Sequence, residues 1–361
     1  MVYVHASLNF GGGVGSVVKQ LAKQQIDHGD TVYILARKSD YFAAEIAENV
    51  FAKIVYLKEG NNVIPKSVKG YNLKREFYKI KSQNLDKQIV LICHCIGVVG
   101  MLGSIPKQTI IVLHGHVKYN GYLSKLFYKL LYKRHKSRNY IACSKECADY
   151  YFEQFKLKCK VVLNGCACIG KKKEFYPSKG DFAVGMISNL DNHKGFEYLL
   201  GAAKLLNKKY NFIKFYIVGA NSEKFDFDGF FKSNGMENVI EYLGEVKNAA
   251  DKILPQIDLL VLPSIMEGLP MSLIEAQSYG IPILATEVGG IPEILKDGYN
   301  GFFIRRDEND IAEKIGRCLN NSLYGKLVSN SLSVYKTRFS AERMYKEYEN
   351  LIRNIVGFDS V

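Results

Sequence analysis

DLLVLPSIMEGLPMSLIEAQSYGIPILATE, residues 258–287, decides how this chain is to be read. DLLVLPS and PILATEV are short runs, apolar on both faces. Between them, after Met266–Glu267–Gly268–Leu269–Pro270, lies an apolar segment of helix length. Two both-face-apolar strands with a helix between them describe one unit of a buried parallel sheet. Its centre, Pro263–Pro282, carries two acids, Glu267 and Glu275, eight residues apart with no other charge between them. Glu267 falls at the strand end, before the helix begins, so helical spacing does not relate the pair.

The same alternation runs outward in both directions. VYVHA, TVYILA, KIVYL, IVLICH, TIIVLH, YIACS and VVLNG read as strands of the first half. FAVGMIS, FIKFYIVG, VIEYLG, DLLVLPS, PILATEV and GFFI serve the second. An α/β pattern repeated twice predicts two doubly wound, Rossmann-like parallel-sheet domains facing each other across a cleft. The polar, basic stretch GKKKEFYPSKGD marks the boundary. Domains of 1–170 and 171–339 are expected, with a final helix in 340–361 returning to the first. In such folds ligands lie outside the carboxyl ends of the strands, so strand-end residues are the candidates.

The 361 residues are 47% hydrophobic, enough for two cores, and carry a formal net charge of +13. That charge favours an anionic partner: nucleic acid, an acidic membrane or a phosphorylated small molecule. No apolar run reaches the length of a membrane span. MVYVHASLNFGGG opens the chain without a basic n-region or a cleavage site, so a cytoplasmic location with reduced cysteines is expected. Cys93–His94–Cys95 and Cys166–Ala167–Cys168 lack the two-residue gap of zinc knuckles and read as small residues in or beside strands.

NFGGGVGS follows the first strand. Val14, Val17, Val18, Leu21, Ala22 and Gln25 then fall on one helix face. Glycines there let backbone N–H groups approach a phosphate. The loop is neither a full G-x-G-x-x-G, since Ser16 stands where the third glycine would be, nor a Walker A. A tight strand-to-helix turn explains it equally well. The second strand ends on Ala36–Arg37–Lys38, with no acid for an adenine ribose. Arg37 would suit a 2′-phosphate, which keeps an NADP-dependent oxidoreductase as a rival. His94 and His114 end successive strands. A single core histidine is ordinarily just packed, but two at strand ends are candidates for a sugar hydroxyl or a phosphate.

KYNGYLSKLFYKLLYKRHKSRNY is basic and aromatic, and no Asp or Glu occurs from Lys87 to Lys145. On a helix, Leu123, Leu126, Phe127, Leu130 and Leu131 share one face, expected on the core. Lys125, Lys129, Lys133 and Lys136 lie opposite, flanked by Tyr122, Tyr128 and Tyr132. An ordinary surface helix explains the period. The missing acids favour contact with an anionic membrane surface. No nucleic-acid motif appears, and nucleic acid is not expected as a partner.

In the second half, FAVGMIS leads through NLDN to HKGFEYLL, where Lys194 opens a helix beside its N–H groups. Taken in order, NFGGG, VLHGH, VVLNG, HKGFEYLL, FYIVG, SIMEGLPMSLIEAQSYGIPILATEVGGIPEIL and DGYNGFFI resemble the retaining glycosyltransferases of family 4, which have the GT-B fold. The resemblance spans nearly the whole chain, and is densest over 181–304 around the E-x7-E signature of Glu267 and Glu275. It implies roles at matching positions. Gly12 and Gly13 would lie near the diphosphate or the transferred sugar, and His114 near the reacting centre. Lys194 would bind the diphosphate. Glu267 would hold the donor sugar beside the Gly268–Leu269 backbone, and Glu275 the ribose hydroxyls. One departure stands out: the family's usual arginine, five residues before the lysine, is Asn189 here.

The family's reaction moves a sugar from a nucleotide diphosphate, UDP being the commonest, to an acceptor hydroxyl with retained configuration. It needs no resident cofactor or metal. A double displacement would need a carboxylate beneath the anomeric carbon. The favoured picture is front-face attack, with the departing diphosphate stabilised by Lys194, helix N-termini and glycine N–H groups. The expected enzyme builds a surface polysaccharide or lipooligosaccharide on a lipid-linked acceptor, peripheral on the cytoplasmic membrane face with Lys125, Lys129 and Lys133 on the membrane side. A soluble transferase acting on a small molecule or protein, and a catalytically inert sugar-binding protein, are the alternatives. Asp226–Phe227–Asp228 matches the D-x-D of metal-dependent transferases, but by a short motif in a polar segment.

Overall fold

The computed structural model describes residues 1–7, 9–57, 73–98, 109–115, 122–167 and 180–356. They form two units, one of Met1–Gly165 with Ala341–Val361, the other of Cys166–Ser340. The chain therefore passes between units twice.

The first unit is built on seven strands: β1 (Val2–Ala6), β2 (Thr31–Arg37), β3 (Lys53–Leu57), β4 (Ile89–His94), β5 (Ile110–Leu113), β6 (Asn139–Ala142) and β7 (Cys159–Val161). They lie in the order β3-β2-β1-β4-β5-β6-β7, and every pairing is parallel. The second holds β8 (Phe182–Ile187), β9 (Ile213–Val218), β10 (Ile240–Gly244), β11 (Leu259–Leu262), β12 (Ile283–Ala285) and β13 (Gly301–Phe303). Their order is β10-β9-β8-β11-β12-β13, again all parallel. The central strands are buried from end to end, β1 as VYVHA and β11 as LLVL, because helices cover both faces.

Strand order reverses between β1 and β4 in one sheet and between β8 and β11 in the other. At such a reversal the connecting helices leave to opposite faces, and a crevice opens at the carboxyl ends. Register places His5 of β1 opposite Ile92, one step before Cys93 and His94 at the end of β4. In the second sheet Leu260 of β11 pairs with Gly185 of β8.

The last helix, Ala341–Val356, packs on the first, Gly12–Asp27. The rings of His28 and Tyr345 stack at 4.2 Å, and the Tyr3 hydroxyl donates to Glu349. Where the chain enters and leaves the second unit, Cys166 N–H donates to the Phe339 carbonyl at 3.0 Å, and Tyr335 Oη donates to the Cys166 carbonyl at 2.9 Å.

The basic helix, Tyr122–Arg134, turns a different face to the core from the one its leucines suggest. Leu126, Phe127 and Leu130 are exposed, at 42%, 53% and 58%, while Leu131 and Tyr132 are buried. The cause is the Tyr132 ring, which packs at 4.4 Å from Phe155 and 5.4 Å from Tyr151. An aromatic ring in an aromatic pocket buries more apolar surface than one leucine, so it sets the helix rotation.

Candidate active site

In the second unit the site grows from the carboxyl ends of β8 and β11. After β8, Ser188 N–H donates to the Val218 carbonyl at 3.0 Å, Asn189 is exposed, and Leu190 N–H reaches the Ala220 carbonyl at 2.8 Å. A turn follows in which Asp191 accepts from His193 N–H at 2.9 Å, while its carbonyl accepts from Lys194 N–H at 2.9 Å. Gly195 then begins the helix Phe196–Asn207, with no side-chain cap on its first N–H groups. No side chain competes for that end, and its positive dipole suits an anion.

After β11, Ile265 N–H donates to the His193 carbonyl at 2.7 Å, which ties the two loops together. The Lys194 ammonium consequently meets Glu267 Oε1 at 2.6 Å, and Ser264 Oγ donates to the same oxygen at 2.7 Å. The pair is largely desolvated, with side-chain exposures of 21% for Lys194 and 10% for Glu267. Thr286 Oγ1 holds the Ser264 carbonyl at 2.6 Å, and Gly290 N–H holds the Gly268 carbonyl at 2.8 Å, so the segment after β12 braces this loop from behind. Gly289 makes that bracing possible. Its φ is +55°, and a Cβ there would lie 1.8 Å from the Glu267 carbonyl oxygen. Leu269 is buried, and the helix Met271–Ser278 starts after Pro270, also without a side-chain cap. Glu275 sits half-buried in its second turn.

Asn189 supplies no charge, but another cation occupies the same corner. Arg306, beyond β13, lies over the Tyr198 ring at 5.0 Å and pairs with Glu197 at 3.5 Å, both in the first turns of the helix that Lys194 introduces. Its Nε is buried without a hydrogen-bond partner, 3.3 Å from where a Cβ on Gly195 would stand. Neither Arg306 nor Ser264 carries a motif that would have marked it in the sequence.

Asp226 is a helix N-cap. Its carboxylate accepts from Gly229 N–H at 3.0 Å, and Phe227 is buried beneath it. The D-x-D match is thereby accounted for as the start of the helix Phe227–Asn234. Among the described residues no group of three or more His, Cys, Asp or Glu side chains could hold a metal ion. Cys93 and Cys166 are buried and in no disulfide, and Cys168 lies outside the described residues.

In the first unit, Gly12 and Gly13 open the helix Gly12–Asp27, with nothing within 4 Å of a Cβ built on either. Just below, Gly15 stands where a Cβ would meet the Phe10 carbonyl oxygen at 1.8 Å. It gives the close approach that the motif reading missed at Ser16. At the order reversal of this sheet three imidazoles form a line. Gln25 Oε1 is 2.8 Å from His5 Nε2, His5 Nδ1 is 2.9 Å from His94 Nε2, and His94 Nδ1 is 3.0 Å from His114 Nε2. Gln25, His5 and His94 are buried, and His114 is the half-buried outer end. Desolvation lowers the pKa of His5 and of His114 to about 4, and that of His94 well below the ordinary histidine value. Lys125, Lys129 and Lys133 are exposed on the same turns as Leu126, Phe127 and Leu130. No helix among the described residues is long and apolar enough to cross a membrane.

Two family models divide the chain: "Glycosyltransferase Family 4" over residues 11–167 and "Glycosyl transferases group 1" over 170–332. An uncharacterised glycosyltransferase of Methanocaldococcus jannaschii is 26% identical over 306 residues, 79% of this chain and 83% of that protein. The N,N'-diacetylbacillosaminyl-diphospho-undecaprenol alpha-1,3-N-acetylgalactosaminyltransferase of Campylobacter jejuni is 29% identical over 178 residues, 48% of this chain and 46% of that protein. This chain thus spans about half the length of that relative. The Anabaena protein HepE, solved in complex with UDP and glucose, superposes with a TM-score of 0.78 at 17% identity, covering 97% of this chain and 98% of that one. Two all-parallel Rossmann-like units, a lysine–glutamate pair at the strand-order reversal of the second, and family models over both halves lead to one assignment: the chain belongs to the family 4 glycosyltransferases, with the GT-B fold.

Proposed function

We propose that this enzyme transfers a sugar from a nucleoside diphosphate, UDP, to a hydroxyl of a glycan carried on a lipid, with retention of anomeric configuration and without a metal ion. The observation that carries the reading is the desolvated Lys194–Glu267 contact at the β8/β11 order reversal. A cation and a carboxylate held side by side suit the two ends of one donor: diphosphate for Lys194, sugar hydroxyls for Glu267. On this reading Glu275 takes the ribose hydroxyls, and the Gly268–Leu269 backbone faces the sugar. Arg306 supplies the positive charge that Asn189 lacks, and Gly12, Gly13 and His114 of the first unit serve the reacting end. The leaving diphosphate is stabilised by Lys194 and by the uncapped N-terminus of the helix Phe196–Asn207. Asp226, committed to its N-cap, is not a metal ligand in this account.

UDP is favoured by the Anabaena neighbour, solved in complex with UDP and glucose, and a lipid-linked acceptor by the diphospho-undecaprenol in the Campylobacter relative's name. Work on the cytoplasmic face of a membrane fits the basic helix, where three lysines alternate with exposed Leu126, Phe127 and Leu130. Each lysine near an anionic surface contributes about 1 kcal/mol, so three change binding by roughly a hundredfold.

A hydrolysis and thermal-shift screen across UDP-, GDP- and ADP-sugars tests the donor, with slow hydrolysis of one UDP-sugar, unaffected by EDTA, expected. Binding of NADP in place of any nucleotide sugar would overturn the reading. Flotation with anionic vesicles is expected for the native chain and lost in K125E/K129E/K133E. Equal flotation of both would remove the membrane from the proposal.

A further inference from the structure

The line Gln25–His5–His94–His114 has a direction. Each N···N distance, 2.9 and 3.0 Å, is that of a hydrogen bond. Ring centroids stand 5.2 Å apart at both steps, with interplanar angles of 18° and 27°. With such short nitrogen contacts those values describe nearly coplanar rings joined edge to edge, not face-to-face stacks. A neutral imidazole carries one N–H and one lone pair, so in such a line the first ring fixes all the others.

Gln25 supplies the fixed end. Its Oε1 has no hydrogen to give, so His5 Nε2 must carry the proton and His5 Nδ1 must accept. His94 Nε2 then donates and His94 Nδ1 accepts. His114 Nε2 donates in turn, and its Nδ1 is left with a lone pair. Among the described residues that Nδ1 has no hydrogen-bond partner, and it belongs to the outermost, half-buried ring. The Gln25 Nε2 is buried without a partner. Turning the amide over would leave Oε1 orphaned in its place, so the reversal gains little.

We propose that Gln25, His5 and His94 are positioning residues that hold His114 as its Nε2–H tautomer, so that its Nδ1 accepts a hydrogen bond from a substrate hydroxyl. This deepens the sugar-transfer reading and rests on it only for the hydroxyl's identity. The chemistry is selective. A sugar or acceptor hydroxyl has a hydrogen to give, whereas an ionised phosphate oxygen has none and meets a lone pair. His114 thus binds the hydroxyl-bearing part of the reacting pair, and the diphosphate is left to the lysine site.

The test is selective 15N-histidine labelling of the whole chain and measurement of imidazole nitrogen shifts at neutral pH. His114, assigned from the spectrum of H114Q, is expected with a protonated Nε2 and an unprotonated Nδ1, as are His5 and His94. In Q25L the director is gone, and the His114 tautomer ratio is expected to fall from about 10:1 towards 1:1, the scale of one hydrogen bond. Replacement of His94 by leucine breaks the line and has the same effect. H94Q, whose amide can accept from one neighbour and donate to the next, restores the ratio. A protonated Nδ1 on His114 in the native protein overturns the proposal, and so does a ratio unmoved by Q25L. The native spectrum decides the point even if a variant does not fold. None of these measurements needs transferase activity, so an inactive protein with a fixed tautomer would refute the sugar-transfer reading alone.

Discussion

The Lys194–Glu267 contact can be weighed by a double-mutant cycle of K194M, E267Q and the pair together. At 2.6 Å and an effective dielectric of about 20, the Coulomb attraction is on the order of 6 kcal/mol. Desolvation offsets most of it, because both side chains are drawn largely out of water. Ser264 already donates to the same carboxylate oxygen and can still donate to an amide in E267Q. A net coupling of about 1–2 kcal/mol is therefore expected in the donor-free protein, read from urea unfolding of the four forms. On the proposed function, a bound donor shares the lysine with its diphosphate. K194M alone should then lower donor turnover by about a hundredfold to a thousandfold, the scale of losing one donor to developing negative charge. E267Q should cost a similar factor, and the double variant less than the product of the two, since both act on one bound molecule. Coupling smaller than about 0.3 kcal/mol, the range of independent sites, would mean that the pair does not form in solution. Additive kinetic losses would mean that the two groups do not serve one ligand.

G289A should destabilise the second unit by more than about 2 kcal/mol and depress turnover further, because a methyl group cannot share space with the Glu267 carbonyl; unchanged melting would show that Gly289 does not approach that carbonyl in solution. D226A should cost about 1 kcal/mol of stability as a lost N-cap while leaving turnover intact; loss of activity there, or on EDTA treatment, would restore the metal reading. Stability should also fall on acidification. His5 and His114 have folded pKa values near 4, below the unfolded value of about 6.5, so between those values the unfolded chain binds more protons. Their stabilisation is complete above about pH 6.5 and is lost as pH falls towards 4, with a slope of up to about 1.4 kcal/mol per pH unit for each ring. A flat profile in the native protein would show that the rings are not buried.

Much of this was legible from short runs. β-Branched and leucine-rich strands such as VYVHA and LLVL announce burial on both faces, and a strand end followed by glycine or lysine announces a loop at the carboxyl edge. Local pattern does not state which strands become neighbours. His5 looks like an unremarked core residue until β1 is known to lie beside β4 across a crossover; only then does it meet His94, and Gln25 acquire a purpose. Arg306 was hidden for the same reason, brought to the start of a helix more than a hundred residues earlier by the order of the second sheet. The basic helix misled differently. Its leucine spacing gave the right period, but the best-fitting ring, Tyr132, chose the phase.

The double passage of the chain between units bears on synthesis. While the protein emerges from the ribosome, residues 166–340 are complete before the helix Ala341–Val356 exists, so the second unit can close while the first still lacks a wall. Until then Tyr3 has no Glu349 and the outer face of the helix Gly12–Asp27 lies bare. The nascent first unit must be sheltered, or wait. A stop codon a few residues early would injure the end of the molecule that was made first.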